Sequence, residues 1–582
     1  MDQETSDYAA ELRPLLEAGQ DRPLLPELDA LPPAQRAGSP PGDGILAWAR
    51  EAAEAESIPE TTYTLYRRFR LVGERPPYER PYFQKRTLLN QEVMAAWLGE
   101  DDSRIDRIND LIWSICEETS WVLPAHEREE WTVDLFAAET GAQLAYALVL
   151  LGDRLPEEIQ ARVRAEVKRR IFDNYLEHGS KYWWDNGANN WTGVCAGSVG
   201  ETFLLLEPDL DRQAEALALV VEQLERFLDR AFEEDGGCLE GIGYWNYGLI
   251  HCVAFAEMIR ERTNGEIDLL AQDKVSAIAQ YPSAVTLDKG VYASFSDSHE
   301  GASVVPYLAA RLAKRTGQTS LLAMTGSATD WRLGSVLRNL LWWDGKTIEF
   351  PPLDDVLLPV SGIARLVGTP GPHRVVLVAK AGHNAEPHNQ NDVGSFVLRI
   401  DGVTYLCDPG AGLYCAAYFS SKRYENVFAN SYGHSVPRIG GALQKAGSKR
   451  RGSIEKAAEK SVRVRFHEAY ELAALQEATR TFALQDECVL LEDAFRFEAP
   501  GLEVEEAFVT WRDVEVEGNV ARVISDKGTL EIAAEQGVVA AERLEDACKA
   551  NHKSGVLTRI SVVYPVGAQT TARFTMTYTP KG

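Results

Sequence analysis

Three polar stretches of this 582-residue chain combine residue types that do chemistry with glycines and aromatic rings. The first is Tyr182-Trp183-Trp184-Asp185-Asn186-Gly187-Ala188-Asn189-Asn190-Trp191. Its asparagines suit helix caps and turns, and its tryptophans suit a core. The second is Asp235-Gly236-Gly237-Cys238-Leu239-Glu240-Gly241-Ile242-Gly243-Tyr244-Trp245-Asn246-Tyr247. Its glycines permit positive φ and a close approach of backbone to a ligand, and Tyr244 and Tyr247 sit where a helix begins. The third gathers His383, His388-Asn389-Gln390-Asn391-Asp392, Asp408-Pro409-Gly410 and Gly433-His434. Histidines beside Asn and Asp at a strand edge could converge on a metal, although neither HExxH nor CxxC spacing is present.

The elements that must hold these stretches differ between the two parts of the chain. Up to Trp343, apolar residues recur at three- and four-residue spacing, as in 131–151, 155–174, 211–233 and 245–262, which predicts amphipathic helices. Short loops between many such helices suggest antiparallel hairpins stacked in a ring or solenoid, with no fixed-period repeat. From about Ser361 the texture becomes alternating and β-branched, in 373–381, 394–410, 461–470, 487–499 and 572–580, with a turn signal at Asp401-Gly402. This part reads as a large antiparallel β-sandwich. Residues 344–360 read as a connector, and the Pro- and Gly-rich start as an extension. The expected boundaries are 1–45 for that extension, 46–345 for the helical domain and 346–582 for the sandwich.

Acidic residues outnumber basic ones by 87 to 60, for a formal charge of −27. That balance argues against a nucleic-acid binder or an anionic-membrane binder, which need a basic footprint. The basic residues do cluster locally, with Lys422, Arg423, Arg438, Lys445, Lys449, Arg450 and Arg451 set against Glu425 alone. No uninterrupted apolar run approaches the ~20 residues of a membrane span. The acidic N-terminus lacks a signal-peptide pattern. The expected location is therefore cytoplasmic, or secreted or periplasmic with a leader removed. Eight scattered cysteines read as free thiols.

Taken together, the Asn-Asn-Trp loop, the DGGCLEGIGYW segment, PHNQNDVGSFVLRIDGVTYLCDPGAGLY and SKRYENVFANSYGHSVPRIGGALQ resemble the heparinase II/III-like superfamily of polysaccharide lyases. The resemblance runs from about 170 to 470. It implies an α+β multidomain chain, an N-terminal (α/α) toroid followed by a large antiparallel β-sandwich. It also implies cleavage of a uronic-acid polysaccharide by β-elimination. Removing the C5 proton builds charge on the adjacent carboxylate, so the enzyme must neutralise that group, supply a base and protonate the leaving oxygen.

By resemblance, Asn190 takes the carboxylate, Tyr244 is the catalytic tyrosine, and His388 is a base or carboxylate partner. Asn189, Trp191, Tyr247, Arg423, Tyr424 and Arg438 are expected to bind substrate. Gln390, Asp408 and His434 match the ligands of a structural divalent metal. Gln390 stands where relatives carry a histidine, which shifts the expectation from Zn²⁺ toward Mn²⁺ or Ca²⁺. The expected partner is an acidic polysaccharide, foremost a glycosaminoglycan, with alginate or another polyuronate as the alternative. Two other readings compete. One is an α/α-toroid glycoside hydrolase using carboxylates such as Asp235, Glu240 or Asp297. The other is a non-catalytic carbohydrate-binding protein.

Overall fold

The computed structural model describes residues 3–581 apart from Leu31, Glu56 and Glu100. Two compact units emerge. One, helical, comprises 1–232, 245–279 and 303–349; the other, sheet-rich, comprises 233–244, 280–302 and 350–582. These boundaries differ from the expected 1–45, 46–345 and 346–582. The expected extension carries helix Gln3–Ala18, which packs on helix Leu210–Arg230 with Leu12 and Leu16 fully buried. Two short excursions, 233–244 and 280–302, leave the helical part of the sequence and fold with the sheets.

Helices of the first unit pack on partners both near and far in sequence. Pro76–Gly99 lies on Ile105–Cys116 and on Leu135–Leu151, which in turn packs on Asn190–Leu206, and that helix on Leu210–Arg230. The caps are polar side chains of the loops: Asp134 accepts from Ala137 N–H, Asn189 from Trp191 N–H, and Asp209 from Asp211 and Arg212 N–H. The stretch Leu135–Arg154 is long and apolar enough to cross a membrane, yet 83% of its apolar window is buried within the protein, which identifies a core helix.

Helix Asn190–Leu206 meets helix Ile242–Arg262 through glycines. A Cβ at Gly193 would stand 2.7 Å from Gly248 O, and one at Gly197 2.7 Å from the backbone of His251. Gly248 in return lies against Asn190 Cα, which a Cβ would approach to 3.4 Å. The backbones come close because these positions have no side chain. Gly197→Ala is therefore expected to destabilise the protein by about 1–3 kcal/mol. The measurement is a Tm comparison; an unchanged Tm would show that the helices can separate without cost.

The sheet-rich unit holds three larger antiparallel sheets. The eight-stranded one runs in the order 453–458, 461–465, 475–484, 489–497, 569–580, 528–534, 520–524, 513–517. A four-stranded sheet joins 538–543, 558–566, 502–510 and 438–439, and a five-stranded sheet joins 356–358, 363–368, 375–380, 396–400 and 403–406. The strand Val356–Leu358 forms inside the stretch read as a connector. Alternate residues point into one core, as Val489, Leu491, Phe495 and Phe497 do, together with Phe396, Leu398, Phe482, Phe508 and Phe574. Asp401 and Gly402 both adopt positive φ, 45° and 79°, in the two-residue turn that pairs Ile400 with Val403.

Candidate active site in the sheet-rich unit

The two excursions and the loops between strands of the second unit bring together residues far apart in sequence. Gly241 sits at φ 88°, and a Cβ there would meet Ser298 Oγ at 2.2 Å, so the loop before Tyr244 presses directly on the 295–298 segment. Asp235 anchors the same loop by accepting the N–H groups of Val360 and Ser361 at 2.9 and 3.0 Å. His388 itself occupies the left-handed region at φ 56°, a strained setting for a residue with a side chain.

Tyr244 and His388 meet face to face, with ring centroids 3.9 Å apart and planes 16° from parallel. The Tyr244 hydroxyl lies 2.6 Å from the Tyr414 hydroxyl, which lies 3.1 Å from Asp297 Oδ2. Asp297 is the hub. Its carboxylate accepts from His388 Nδ1 at 2.9 Å, from the Arg423 guanidinium at 2.9 and 3.0 Å, from Tyr418 at 2.8 Å and from Gln390 Nε2 at 3.2 Å. Burial pushes the Asp297 pKa up, but the His388 hydrogen bond and the Arg423 charge outweigh it, and the carboxyl is held at about 2. Burial, then Tyr244 and Asp297, drive the Tyr414 phenol far above its ordinary range, so it keeps its proton and acts as a donor. His388 Nε2 stands 3.8 Å from Glu240 Oε2.

The other predicted residues are placed as follows. Arg423 faces inward, stacking on Tyr418 at 4.1 Å and donating to Asn389 O at 2.8 Å. The Tyr424 hydroxyl accepts from Asn389 Nδ2 at 3.1 Å. Arg438 is engaged elsewhere, paired with Glu505 on the four-stranded sheet. Asn190, Asn189, Trp191 and Tyr247 belong to the helical unit. There, Asn190 is buried at the start of its helix, and Asn189 is its cap. Trp191 contacts Trp183 and His126 at ring distances of 4.8 and 4.9 Å, and Tyr247 lies under the Arg332 guanidinium at 4.7 Å.

Of the three predicted metal ligands, Asp408 and His434 meet, His434 Nδ1 lying 3.0 Å from Asp408 Oδ2. Asp392 completes a buried group whose ligand atoms all lie within 4.8 Å of one another. Gln390 spends its amide N–H on Ser296 O at 2.8 Å and on Asp297, while its Oε1 is buried without a hydrogen-bond partner. Asp392 Oδ2 and His434 Nε2 are likewise buried without partners. Lys380 Nζ lies 2.6 Å from Asp392 Oδ1 and already supplies one positive charge. Two carboxylates and an imidazole suit a divalent cation of intermediate hardness.

Tyr414, Tyr418 and Asp392 are not among the expected site residues, and Asp297 is expected only as a hydrolase carboxylate. The sequence signal for the tyrosines is their position just after Asp408-Pro409-Gly410, four residues apart. Asp297 lies in an irregular segment, SFSDSHE, without a motif.

Known proteins share this architecture. Residues 351–553 match the family Heparinase II/III-like, C-terminal. No curated protein matches the sequence. Among solved structures, heparinase III is similar at TM-score 0.64 and 14% identity, over 87% of this chain and 77% of that one. The heparan sulfate lyase HepC from Pedobacter heparinus matches at TM-score 0.58 and 13% identity, over 98% and 88%. Chondroitin AC lyase of Streptomyces coelicolor A3, in complex with chondroitin sulphate, matches at 0.53 and 13%, over 93% and 80%. The helical part followed by the sheet-rich part is the toroid and β-sandwich fold of these structures, as expected from the sequence. Residues 351–553 thus carry a heparinase II/III-like C-terminal domain, and the chain along its length shares the fold of the heparinase III and heparan sulfate lyase structures.

Proposed function

We propose that this protein cleaves a uronic-acid-containing polysaccharide, foremost a glycosaminoglycan such as heparan sulfate, chondroitin sulfate or hyaluronan, by β-elimination. The observation that carries the reading is Tyr244 stacked on His388 and hydrogen-bonded to Tyr414 above Asp297. A free phenol is a poor base, with a pKa of about 10. Tyr414 eases that difficulty, because its single proton can point to Asp297 or to the Tyr244 oxygen at 2.6 Å. When Tyr244 has lost its proton, Tyr414 donates to it; when Tyr244 holds a proton, Tyr244 donates in turn and can pass that proton to the leaving glycosidic oxygen. His388, with Nδ1 donating to Asp297, presents Nε2 as a base or a carboxylate partner. Asn190 is assigned the uronate carboxylate.

The hydrolase alternative fares worse on the same geometry. A carboxyl held at about 2 is a poor general acid, and Asp235 is committed to the backbone of 360–361. A panel of heparan sulfate, chondroitin sulfate, hyaluronan and alginate tests the proposal. Appearance of the ultraviolet absorbance of an unsaturated uronate supports it; new reducing ends without that absorbance would replace it with hydrolysis.

A divalent metal, held by Asp392, Asp408 and His434 with Gln390 Oε1 as a further oxygen, would act structurally by tying together the chain around 390, 408 and 434. Chelation is then expected to lower Tm by several degrees. Metal analysis of protein purified without added ions accompanies the melt, and the absence of stoichiometric metal, or a melt insensitive to chelator, would remove the metal from this site.

A further inference from the structure

The seven cations of residues 422–451 divide sharply in the structure. Arg423 is bound to Asp297, Arg438 to Glu505 and Arg450 to Glu471. Among the described residues, Lys422, Lys445, Lys449 and Arg451 have no carboxylate partner, and Lys445, Lys449 and Arg451 are exposed along one strand and its approach. That strand, Gly447–Arg451, pairs antiparallel with His383–Asn384, with Arg451 opposite His383. Residues paired in this way project from the same face of the sheet.

The strand is fastened to the segment that carries His388. Gly452 N–H donates to Gly382 O at 2.8 Å, Asn384 Nδ2 to Lys445 O at 3.0 Å, and Val393 N–H to Gln444 Oε1 at 3.1 Å. A Cβ on Gly452 would stand 2.5 Å from Val393 Cγ1 and 2.6 Å from Arg465 O, so the strand is pressed onto that segment. His383 Nδ1 accepts the Ala385 N–H at 3.2 Å, which leaves the ring proton on Nε2 as a donor. Burial first, then the charges of Lys380 and Arg451, lower the His383 pKa against the opposing pull of Glu233, so the ring stays neutral near pH 7. The nearby carboxylate of Glu386 is buried, facing Lys380 and the His383 backbone N–H.

We propose that His383, Arg451, Lys449 and Lys445 form a sulfate-binding subsite that makes the sulfated form of an acidic polysaccharide the preferred ligand. The proposal rests on the reading above, in which the uronate carboxylate is already assigned to Asn190. Cations left over on this strand then meet a second kind of anion, and in such polymers that anion is the sulfo group. A guanidinium, two mobile ammonium groups and an imidazole N–H supply donors from several directions, which suits a tetrahedral oxyanion.

The test uses the full chain in affinity electrophoresis through gels containing heparan sulfate or its unsulfated backbone, and chondroitin sulfate or chondroitin. Wild type is expected to be retarded more by the sulfated member of each pair, and Lys449→Ala/Arg451→Ala to lose about tenfold of that preference. Lys449→Arg should retain it, which separates charge from folding. A double variant that discriminates as wild type does, or a wild type that does not discriminate at all, overturns the subsite. Ultraviolet product formation is followed in parallel. If product forms while the double variant still discriminates, the subsite fails and the lyase reading stands; if no polymer yields product but the double variant loses discrimination, the lyase reading fails and the subsite stands.

Discussion

Tyr244→Phe is expected to lower the rate of product formation about 10²–10⁴-fold while leaving Tm essentially unchanged. The phenylalanine ring preserves the stack on His388 and removes only the oxygen. Tyr414 is not stranded by the change, because it keeps Asp297 as an acceptor at 3.1 Å. The variant therefore isolates the chemistry of one hydroxyl from the packing around it. Circular dichroism and a thermal melt establish the fold, and the absorbance assay establishes the rate. A Tyr244→Phe protein that turns over at the wild-type rate would move the acid-base role to another residue, with Tyr414 the nearest phenol.

Asp297→Asn should be costlier, in stability as well as in rate. The aspartate is buried and faces Arg423, His388, Tyr414, Tyr418 and Gln390 at once. An amide turns one acceptor oxygen into a donor that confronts other donors, and leaves the Arg423 charge uncompensated in a buried setting. Breaking such a pair from one side costs about 3–5 kcal/mol. Activity is expected to fall by about 10²-fold or more, because His388 and Tyr414 lose their common acceptor. Asp297 also predicts an acid dependence. Its folded pKa of about 2 lies below the unfolded value of about 3.9, so its stabilisation is complete above the unfolded pKa and is lost as pH falls through the folded one. That difference is on the order of 2 kcal/mol. A stability profile measured between pH 5 and pH 2 should fall less steeply in Asp297→Asn than in wild type; parallel profiles would mean that this carboxylate does not titrate with folding.

How much of the molecule is legible in the sequence depends on range. Local pattern works where local physics decides: the β-branched apolar run in 373–381 marks strand Val375–Lys380, and Asp401-Gly402 marks a two-residue hairpin turn. It misses Val356–Leu358, a short strand whose only partner is Ile363–Gly368 among the described residues, because three residues carry too little alternation to read. Tyr244 and His388 of the candidate site can be named from the sequence, but Tyr414 and Tyr418 cannot, and neither can the arrangement. Tyr244 and His388 are named by resemblance, yet no spacing rule places a ring 144 positions away in a parallel stack. Asp297 has partners 91 to 126 positions along the chain, so its role becomes visible only when they converge. The net charge of −27 likewise reports a sum, whereas recognition of an anion depends on which cations lack a carboxylate partner.

The two excursions, 233–244 and 280–302, bear on how the gene can be divided. They carry Tyr244 and Asp297, while His388, Tyr414 and Arg423 come from beyond residue 350. A fragment cut to the matched family segment, 351–553, would lack the tyrosine and the aspartate, and a fragment ending at 349 would lack everything those two residues hold. The residues proposed to react are thus interleaved along the chain even though the compact units are distinct. Recombination with a relative would have to exchange both short excursions and the segment around Asn190 together with the sandwich to transplant the whole set of proposed groups.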